Sequence, residues 1–125
     1  MPSPASIHFW DMDDTVMEND SDVSWKRFLI GRGLAPDSDL EKIDYFLDRY
    51  QQGILEPDVF LDFQLREFAG RTVPEMDALA DEHFEECVES QIYPAAAAMI
   101  KEQLDTGATV CLLTATNHVI ARPTA

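Results

Sequence analysis

Two aspartates separated by one residue, Asp11 and Asp13, directly follow the short apolar run at 7–10 and are well suited to chemistry. Side chains alternate faces along an extended strand, so both carboxylates are expected on the same side. Two converging carboxylates repel each other unless a cation or a shared proton compensates. Mg²⁺ takes oxygen ligands and would compensate them, while a carboxylate oxygen could still attack phosphorus. The pair therefore predicts a magnesium-dependent site that handles phosphate.

The same acids are compatible with two alternative roles. An acidic turn after a strand is common in proteins and needs no function. A twelve-residue calcium loop would take its ligands from five oxygen-bearing residues: Asp11, Asp13, Thr15, Asn19 and Asp22. Against the calcium loop, Val16 occupies the position that requires glycine, and a strand precedes the loop instead of a helix.

The charge of the chain limits its partners. Twenty-four acidic residues against nine basic ones give a net charge of −15 over 125 residues. This balance argues against nucleic acid and against anionic membrane surfaces, both of which attract basic proteins. A small phosphorylated metabolite remains compatible, because a metal can supply positive charge locally. The length predicts one domain, and a hydrophobic fraction of 46% is enough for a core.

Compartment signals are few. Cys87 and Cys111 both fall on apolar patterns and are interpreted as small buried side chains, and nothing suggests a disulfide between them. The first residues lack the basic region of a secretion signal. No stretch approaches the roughly 20 apolar residues of a membrane span. We therefore expect a cytoplasmic protein.

The hydrophobic pattern predicts two strands and a helical segment between them. Apolar runs at 7–10 and 108–113 predict buried strands, and a helix over about 95–104 precedes the second one. Four further helices are predicted near 21–32, 39–52, 57–69 and 72–88, with no strand among them. A strand–helix–strand crossover makes the strands parallel, and ligands bind at the carboxyl ends of such strands. Asp11 and Thr114 are therefore expected to face the same crevice.

Some side chains inside the helical segment have simpler expected roles. Four aromatic residues are expected to form its hydrophobic core before they form any substrate pocket: Phe46, Tyr50, Phe60 and Phe63. His83 has acidic neighbours in the sequence and is expected to face solvent.

Residues 11–15 read Asp-x-Asp-x-Thr behind an apolar strand, and Thr114 ends the second apolar strand. In that order, around a helical insertion, these features resemble the first two motifs of the haloacid dehalogenase superfamily of phosphohydrolases. The insertion lies where the subfamily with a helical cap carries that cap. The stretches 20–28 and 114–123 are most similar to the phosphoserine-phosphatase-like branch. The resemblance covers nearly the whole chain.

The resemblance implies a role for each matching residue. Asp11 would be the nucleophile that accepts the phosphoryl group. Asp13 would protonate the leaving oxygen and then activate water, while its backbone carbonyl helps to hold Mg²⁺. Thr15 would orient these groups, and Thr114 with the amide of Ala115 would bind phosphoryl oxygens. These roles agree with the physics of phosphoryl transfer, in which positioning and neutralisation of charge supply much of the catalysis.

The resemblance also implies one residue that contacts substrate, and the sequence differs from the family pattern at two points. Asp20 lies where relatives in this branch place an acidic residue that contacts substrate. Asp14 stands where glycine or asparagine often follows the second aspartate. The family places a lysine and further acidic metal ligands after the second motif, whereas this sequence ends eleven residues after Thr114 and has all three of its lysines earlier. Sheets usually have four or more strands, so we expect the front portion of a longer protein.

Together these observations predict an α/β fold: a doubly wound, Rossmann-like parallel-sheet core, incomplete here, with a helical cap. The core would comprise residues 1–20 and 93–125, and the cap residues 21–92. The predicted activity is Mg²⁺-dependent hydrolysis of a small phosphomonoester through an aspartyl phosphate. A phosphotransferase with the same nucleophile and a non-catalytic module that binds metal or a partner stay open as alternatives.

Overall fold

Two parallel strands form the sheet of the protein. The computed structural model describes residues 6–125. Strand β1 (Ile7–Asp11) pairs with β2 (Thr109–Leu113), and Asp11 lies opposite Leu113. The parallel pairing predicted from the crossover is confirmed, as are the α/β class and the small, incomplete sheet. The carboxyl ends of both strands consequently lie at one edge, which brings the loops after Asp11 and after Leu113 side by side.

Helices account for most of the remaining chain. Six α-helices occur in chain order: α1 (Ser21–Gly31), α2 (Asp39–Gln51), α3 (Pro57–Gln64), α4 (Val73–His83), α5 (Pro94–Asp105) and α6 (His118–Ala121). Shorter helical turns cover Arg66–Phe68, Phe84–Val88 and Glu89–Gln91. The five predicted helices are present, although the third and fourth end in these turns. No helix within residues 6–125 is long and apolar enough to cross a membrane.

Local signals in the sequence set the helix boundaries. The Asp20 side chain accepts a hydrogen bond from the Val23 amide (3.2 Å) and caps α1. Thr72 and Glu75 form a reciprocal capping box at the start of α4. Gly53 adopts φ +72° just after α2, a left-handed conformation that glycine takes without steric cost.

The hydrophobic core lies mainly among the helices. One cluster joins α1, α4 and α6 through Trp25, Phe28, Leu29, Ala35, Met76, Ala80 and Ile120. A second cluster joins α2 and α3 through Ile43, Phe46 and Phe63. The helices between the strands, up to the turn before α5 (residues 21–91), are called the helical insertion below. A third cluster connects the turn after β1, the end of this insertion and α6 through Met12, Met17, Val88 and Ala121. The insertion therefore packs directly against α6, the short helix that follows β2.

The sheet is covered much less completely. Helix α5 contacts one face of the sheet, where the indole Nε1 of Trp10 donates a hydrogen bond to the side-chain oxygen of Gln103 at 2.9 Å. Other apolar side chains of the sheet remain open to solvent, with exposed fractions of 60% for Ile7, 65% for Phe9 and 65% for Leu113.

A charged cluster lies inside the insertion, between α1, α2 and the turn after α3. Lys26 is fully buried and donates through Nζ to the Phe63 carbonyl and to a Glu67 carboxylate oxygen, each at 2.7 Å. Asp39, also fully buried, lies 3.9 Å from the same ammonium group and bonds to Arg66. Burial lowers the pKa of Lys26, and the contact with Glu67 opposes that shift.

Four expectations need correction. The two strands are expected to be buried, but Ile7, Phe9 and Leu113 are exposed, because the described helices leave their face of the sheet uncovered. His83 is fully buried against Trp25 rather than facing solvent, and Nε2 of its ring lies 2.8 Å from the Ser24 hydroxyl. Tyr50 is exposed and does not join the core, because it lies on the outer face of α2, whereas Phe46 and Phe63 are buried as expected. Cys87 and Cys111 are free thiols and only partly buried.

Candidate active site

Asp11 ends β1 at the open edge and is an exposed residue. The turn that follows is closed by the Thr15 and Val16 amides, which donate to the Met12 carbonyl at 3.3 and 3.0 Å. Closure of this turn brings the Thr15 hydroxyl to Asp11, where it donates to Oδ2 at 3.0 Å. Met12 is completely buried and anchors the turn from below. The hydroxyl therefore orients the carboxylate without covering it.

The backbone conformation of Asp14 explains why this position accepts an aspartate where related sequences often have glycine or asparagine. Its φ of +58° places it in the left-handed region, which glycine, asparagine and aspartate adopt more readily than other residues. An aspartate at this position keeps the turn and adds one exposed negative charge.

Asp13 is held by two distant parts of the chain. Its Oδ1 accepts a hydrogen bond from the Ser21 amide at 3.0 Å, and its Oδ2 accepts one from the Thr116 hydroxyl at 3.0 Å. The hydroxyls of Ser21 and Thr116 are themselves 2.9 Å apart. The start of the helical insertion and the loop after β2 thus meet at one carboxylate.

The loop after β2 contains the predicted phosphate ligands. The Thr114 hydroxyl accepts a hydrogen bond from the Thr116 amide at 3.1 Å, which turns the chain sharply. A hydroxyl that accepts one hydrogen bond retains its own hydrogen for donation, here available to a phosphoryl oxygen. Ala115 is exposed within this bend. Because Leu113 pairs with Asp11, the turn lies beside the end of β1.

Two more acids stand at the entry to the insertion. Burial raises the pKa of the Asp22 carboxyl to about 7, and the charges of Asp20 and Asp13 contribute. Desolvation also raises the pKa of the Asp20 carboxyl, although the residue as a whole is exposed and the Val23 amide opposes the shift. The side-chain nitrogen of Gln64 donates to the Asp22 carbonyl at 3.0 Å and thereby links α3 to this group.

The two chain segments that connect the insertion to the sheet are bonded to each other. The Tyr93 amide donates to the Val16 carbonyl and the Glu18 amide to the Gln91 carbonyl, both at 2.9 Å. Met17 lies between them, fully buried. The insertion is therefore joined to the sheet by a short paired stem beside the acidic turn.

The donors at this edge suit a hard cation in their chemistry. The Asp11 carboxylate and the Asp13 backbone carbonyl are oxygen donors, and Mg²⁺ characteristically binds one or two carboxylates while keeping several waters. Within residues 6–125 no cluster of three or more His, Cys, Asp or Glu side chains is arranged to hold a metal. A bound Mg²⁺ would need further oxygen ligands beyond these two to complete its coordination.

The sequence indicated both acids and Thr15, which contacts Asp11, but not the partners of Asp13. Thr116 was not singled out as a contact of Asp13, although its spacing of two from Thr114 in a Thr-x-Thr pattern was a usable signal. Ser21, the first residue of α1 after its cap Asp20, was not singled out as a contact of Asp13 either. The raised pKa of Asp22 depends on burial, for which the sequence has no local signal.

Comparison with known proteins adds three findings. The family model described as haloacid dehalogenase-like hydrolase matches residues 8–125. A histidinol-phosphatase from Neisseria meningitidis serogroup C (strain 8013) is 28% identical over 119 residues, covering 94% of this chain and 54% of that protein. A crystal structure of a protein with unknown function from Bordetella pertussis Tohama I matches with a TM-score of 0.83 and 27% identity, covering 99% of this chain and 56% of that one. The chain thus spans about half the length of these two relatives.

Proposed function

The chain belongs to the haloacid dehalogenase-like hydrolase family, and from that membership we propose a phosphatase that hydrolyses a small phosphomonoester through an aspartyl phosphate. The observation that carries the proposal is the arrangement at the carboxyl edge of the sheet. Exposed Asp11, oriented by Thr15, lies opposite the residue that precedes the Thr114 turn. Asp13, two residues on, accepts a hydrogen bond on each of its two carboxylate oxygens.

The proposed reaction has two steps. A carboxylate oxygen of Asp11 attacks phosphorus, the bond from phosphorus to the leaving oxygen breaks, and Asp13 gives its proton to that oxygen. Asp13 then takes a proton from water as the water attacks the aspartyl phosphate, which releases inorganic phosphate and restores Asp11. The Thr114 hydroxyl and the Ala115 amide would bind the phosphoryl oxygens during both steps.

Mg²⁺ is the proposed cofactor. The Asp11 side chain and the Asp13 backbone carbonyl would hold it, and it would neutralise charge on the phosphoryl group. This contribution matters here because five aspartates lie between residues 11 and 22 of a strongly acidic chain, and an anionic substrate would otherwise be repelled.

The acidic entry to the insertion bears on substrate class. The charge of Asp13 contributes to the raised pKa values of Asp20 and Asp22. Asp20, which is the more exposed of the two, would attract a positive charge carried by the part of the substrate that is not phosphate. Histidinol phosphate is the first substrate to test, because one relative is named histidinol-phosphatase.

We further propose that residues 21–92 act as a cap over a core formed by residues 1–20 and 93–125, of which residues 1–5 lie outside the part of the chain that the structure describes. The paired stem at Val16–Tyr93 and Glu18–Gln91 supports this division. Closure of such a cap would exclude water from the aspartyl phosphate until the leaving group departs.

The test is phosphate release from histidinol phosphate and from 4-nitrophenyl phosphate, with and without Mg²⁺. Asp11→Asn should reduce turnover to background, and Asp13→Asn should slow it by about 10²–10⁴-fold. Asp14→Asn is the matched control, because it makes the same chemical change in the same turn at a φ that asparagine tolerates. Equal activity of the Asp11→Asn and Asp14→Asn proteins would rule out the proposed nucleophile.

A further inference from the structure

The two aspartates of the site differ in what holds them. The hydrogen-bond partner of Asp11 is Thr15, four residues away within the same turn. The partners of Asp13 lie 8 and 103 residues away, at the first residue of α1 and in the loop after β2. The orientation of Asp11 is therefore local, whereas that of Asp13 depends on two other parts of the fold being in place.

The groups that hold Asp13 are shielded from water. The exposed fraction is 1% for Ser21 and 8% for Thr116, and Asp13 itself is partly buried. Hydrogen bonds to a carboxylate are stronger than neutral ones, and exclusion of competing water strengthens them further. Two donors on two different oxygens also fix the rotation of the carboxylate plane, which a single donor would leave free.

The direction of the hydroxyl chain follows from counting hydrogens. Thr116 has one hydroxyl hydrogen, which it donates to Oδ2 of Asp13. In the 2.9 Å contact between the hydroxyls of Ser21 and Thr116, Ser21 must therefore be the donor. Ser21 consequently acts on Asp13 twice, directly through its amide and indirectly through the Thr116 hydroxyl.

From these contacts we infer that Thr116 and Ser21 are positioning residues for Asp13, which they hold at the angle needed to protonate the leaving oxygen. This inference rests on the proposed phosphatase function. Ser21 is also the first residue of α1. The placement of the proton donor is therefore coupled to the seating of the helical insertion on the sheet.

The first test compares substrates that need protonation of the leaving group to different degrees. An alkyl phosphate requires a proton on its leaving oxygen, whereas 4-nitrophenolate leaves readily without one. Thr116→Val keeps the shape of the side chain and removes the hydroxyl. It should slow release of the alkyl alcohol in the first turnover by on the order of 10- to 100-fold, a loss typical of a misplaced group. Release of 4-nitrophenolate should change little.

Two variants control this comparison. Thr116→Ser restores a hydroxyl and should recover most of the lost rate with the alkyl ester. Thr109→Val makes the same chemical change at an exposed position of β2 and should leave both rates unchanged. A Thr116→Val protein that is slowed equally with both esters, or with neither, would overturn the positioning role.

A second measurement does not depend on turnover. Hydrogen exchange of the Ser21 amide, followed by NMR, should accelerate at least several-fold in Thr116→Val. The Asp13 carboxylate accepts a hydrogen bond from this amide, and in the variant it loses the second hydrogen bond that holds it, the one from Thr116. Thr109→Val should leave the exchange rate unchanged. Unchanged exchange in Thr116→Val would overturn the inference. If the wild-type protein hydrolyses neither ester, the proposed function fails, and the exchange rates alone then decide whether Thr116 holds Asp13.

Discussion

The helical insertion and the two-stranded sheet differ in how completely their apolar side chains are buried and in where the candidate site lies. Trp25, Leu29 and Ala80 are completely buried in the insertion and its contact with α6, whereas Ile7 and Phe9 of the sheet are mostly exposed. Asp11 and Asp13, the proposed catalytic acids, lie at the open edge of the sheet, in and beside a turn held by buried Met12 and Met17. We infer that the insertion supplies most of the stability of the described fold, while the sheet edge carries the chemistry.

The largest expected effect tests where stability resides. Trp25→Ala should lower the free energy of unfolding by about 3–5 kcal/mol, because it empties a fully buried site that packs against Phe28 and His83. Phe9→Ala should change it by no more than about 0.5 kcal/mol, because that side chain is mostly exposed. Urea unfolding measures both values, and a reversed order would contradict the division between the two regions.

The buried charges of the insertion give the next largest effect. Glu67→Gln removes the closest carboxylate from fully buried Lys26 and should cost about 3 kcal/mol, since a buried charge that loses its nearest partner is expensive. The exposed pair formed by Lys101 and Asp105 is the control, and Asp105→Asn should cost less than about 1 kcal/mol. If urea denaturation gave equal losses, the Lys26 cluster would have no special structural role.

The pH dependence of stability should show two opposed contributions. Burial lowers the pKa of His83 to about 4, below its unfolded value of 6.5, so only the unfolded state takes up the proton between these values. This contribution to stability is present above pH 6.5 and is lost as pH falls towards 4. The pKa of Asp22 is raised from 3.8 to about 7, so its contribution is present at low pH and is lost as pH rises through that window.

Single variants separate these contributions. Over pH 4.5–6.5, the unfolding free energy of Asp22→Asn should rise with pH and that of His83→Phe should fall. Each slope should be at most about 1.4 kcal/mol per pH unit. His118→Asn is the control for an exposed histidine. Parallel slopes in the Asp22→Asn and His83→Phe proteins would contradict the assigned burial of these two groups.

The smallest expected effect concerns the boundary between the two regions. Asp20→Ala removes the cap of α1 and should cost about 1 kcal/mol. Thr72→Ala removes the cap of α4, inside the insertion, and should cost a similar amount. Thermal unfolding compares them, and a loss several times larger for Asp20→Ala would show that Asp20 does more than cap a helix.

Local signals in the sequence predicted much of this arrangement. Hydrophobic period predicted the two strands, and position in the sequence predicted the acidic turn after β1 and the turn after β2. The parallel crossover predicted that both turns lie at one edge of the sheet. The burial of His83 was missed because it depends on Trp25 and Ser24, 58 and 59 residues away in sequence. The contact between Ser21 and Thr116 spans 95 residues. Such contacts depend on how the helices pack against one another, which spacing along the chain does not encode.

The most direct test of the account is to identify the phosphorylated residue. The protein would be mixed with Mg²⁺ and histidinol phosphate or 4-nitrophenyl phosphate, quenched in acid within the first turnover, and digested for mass spectrometry. We expect an acid-stable, alkali-labile phosphoryl adduct on Asp11, absent from Asp11→Asn and retained in Asp14→Asn. Turnover without an adduct on Asp11, or an adduct on a different residue, would contradict the assignment of Asp11 as the nucleophile.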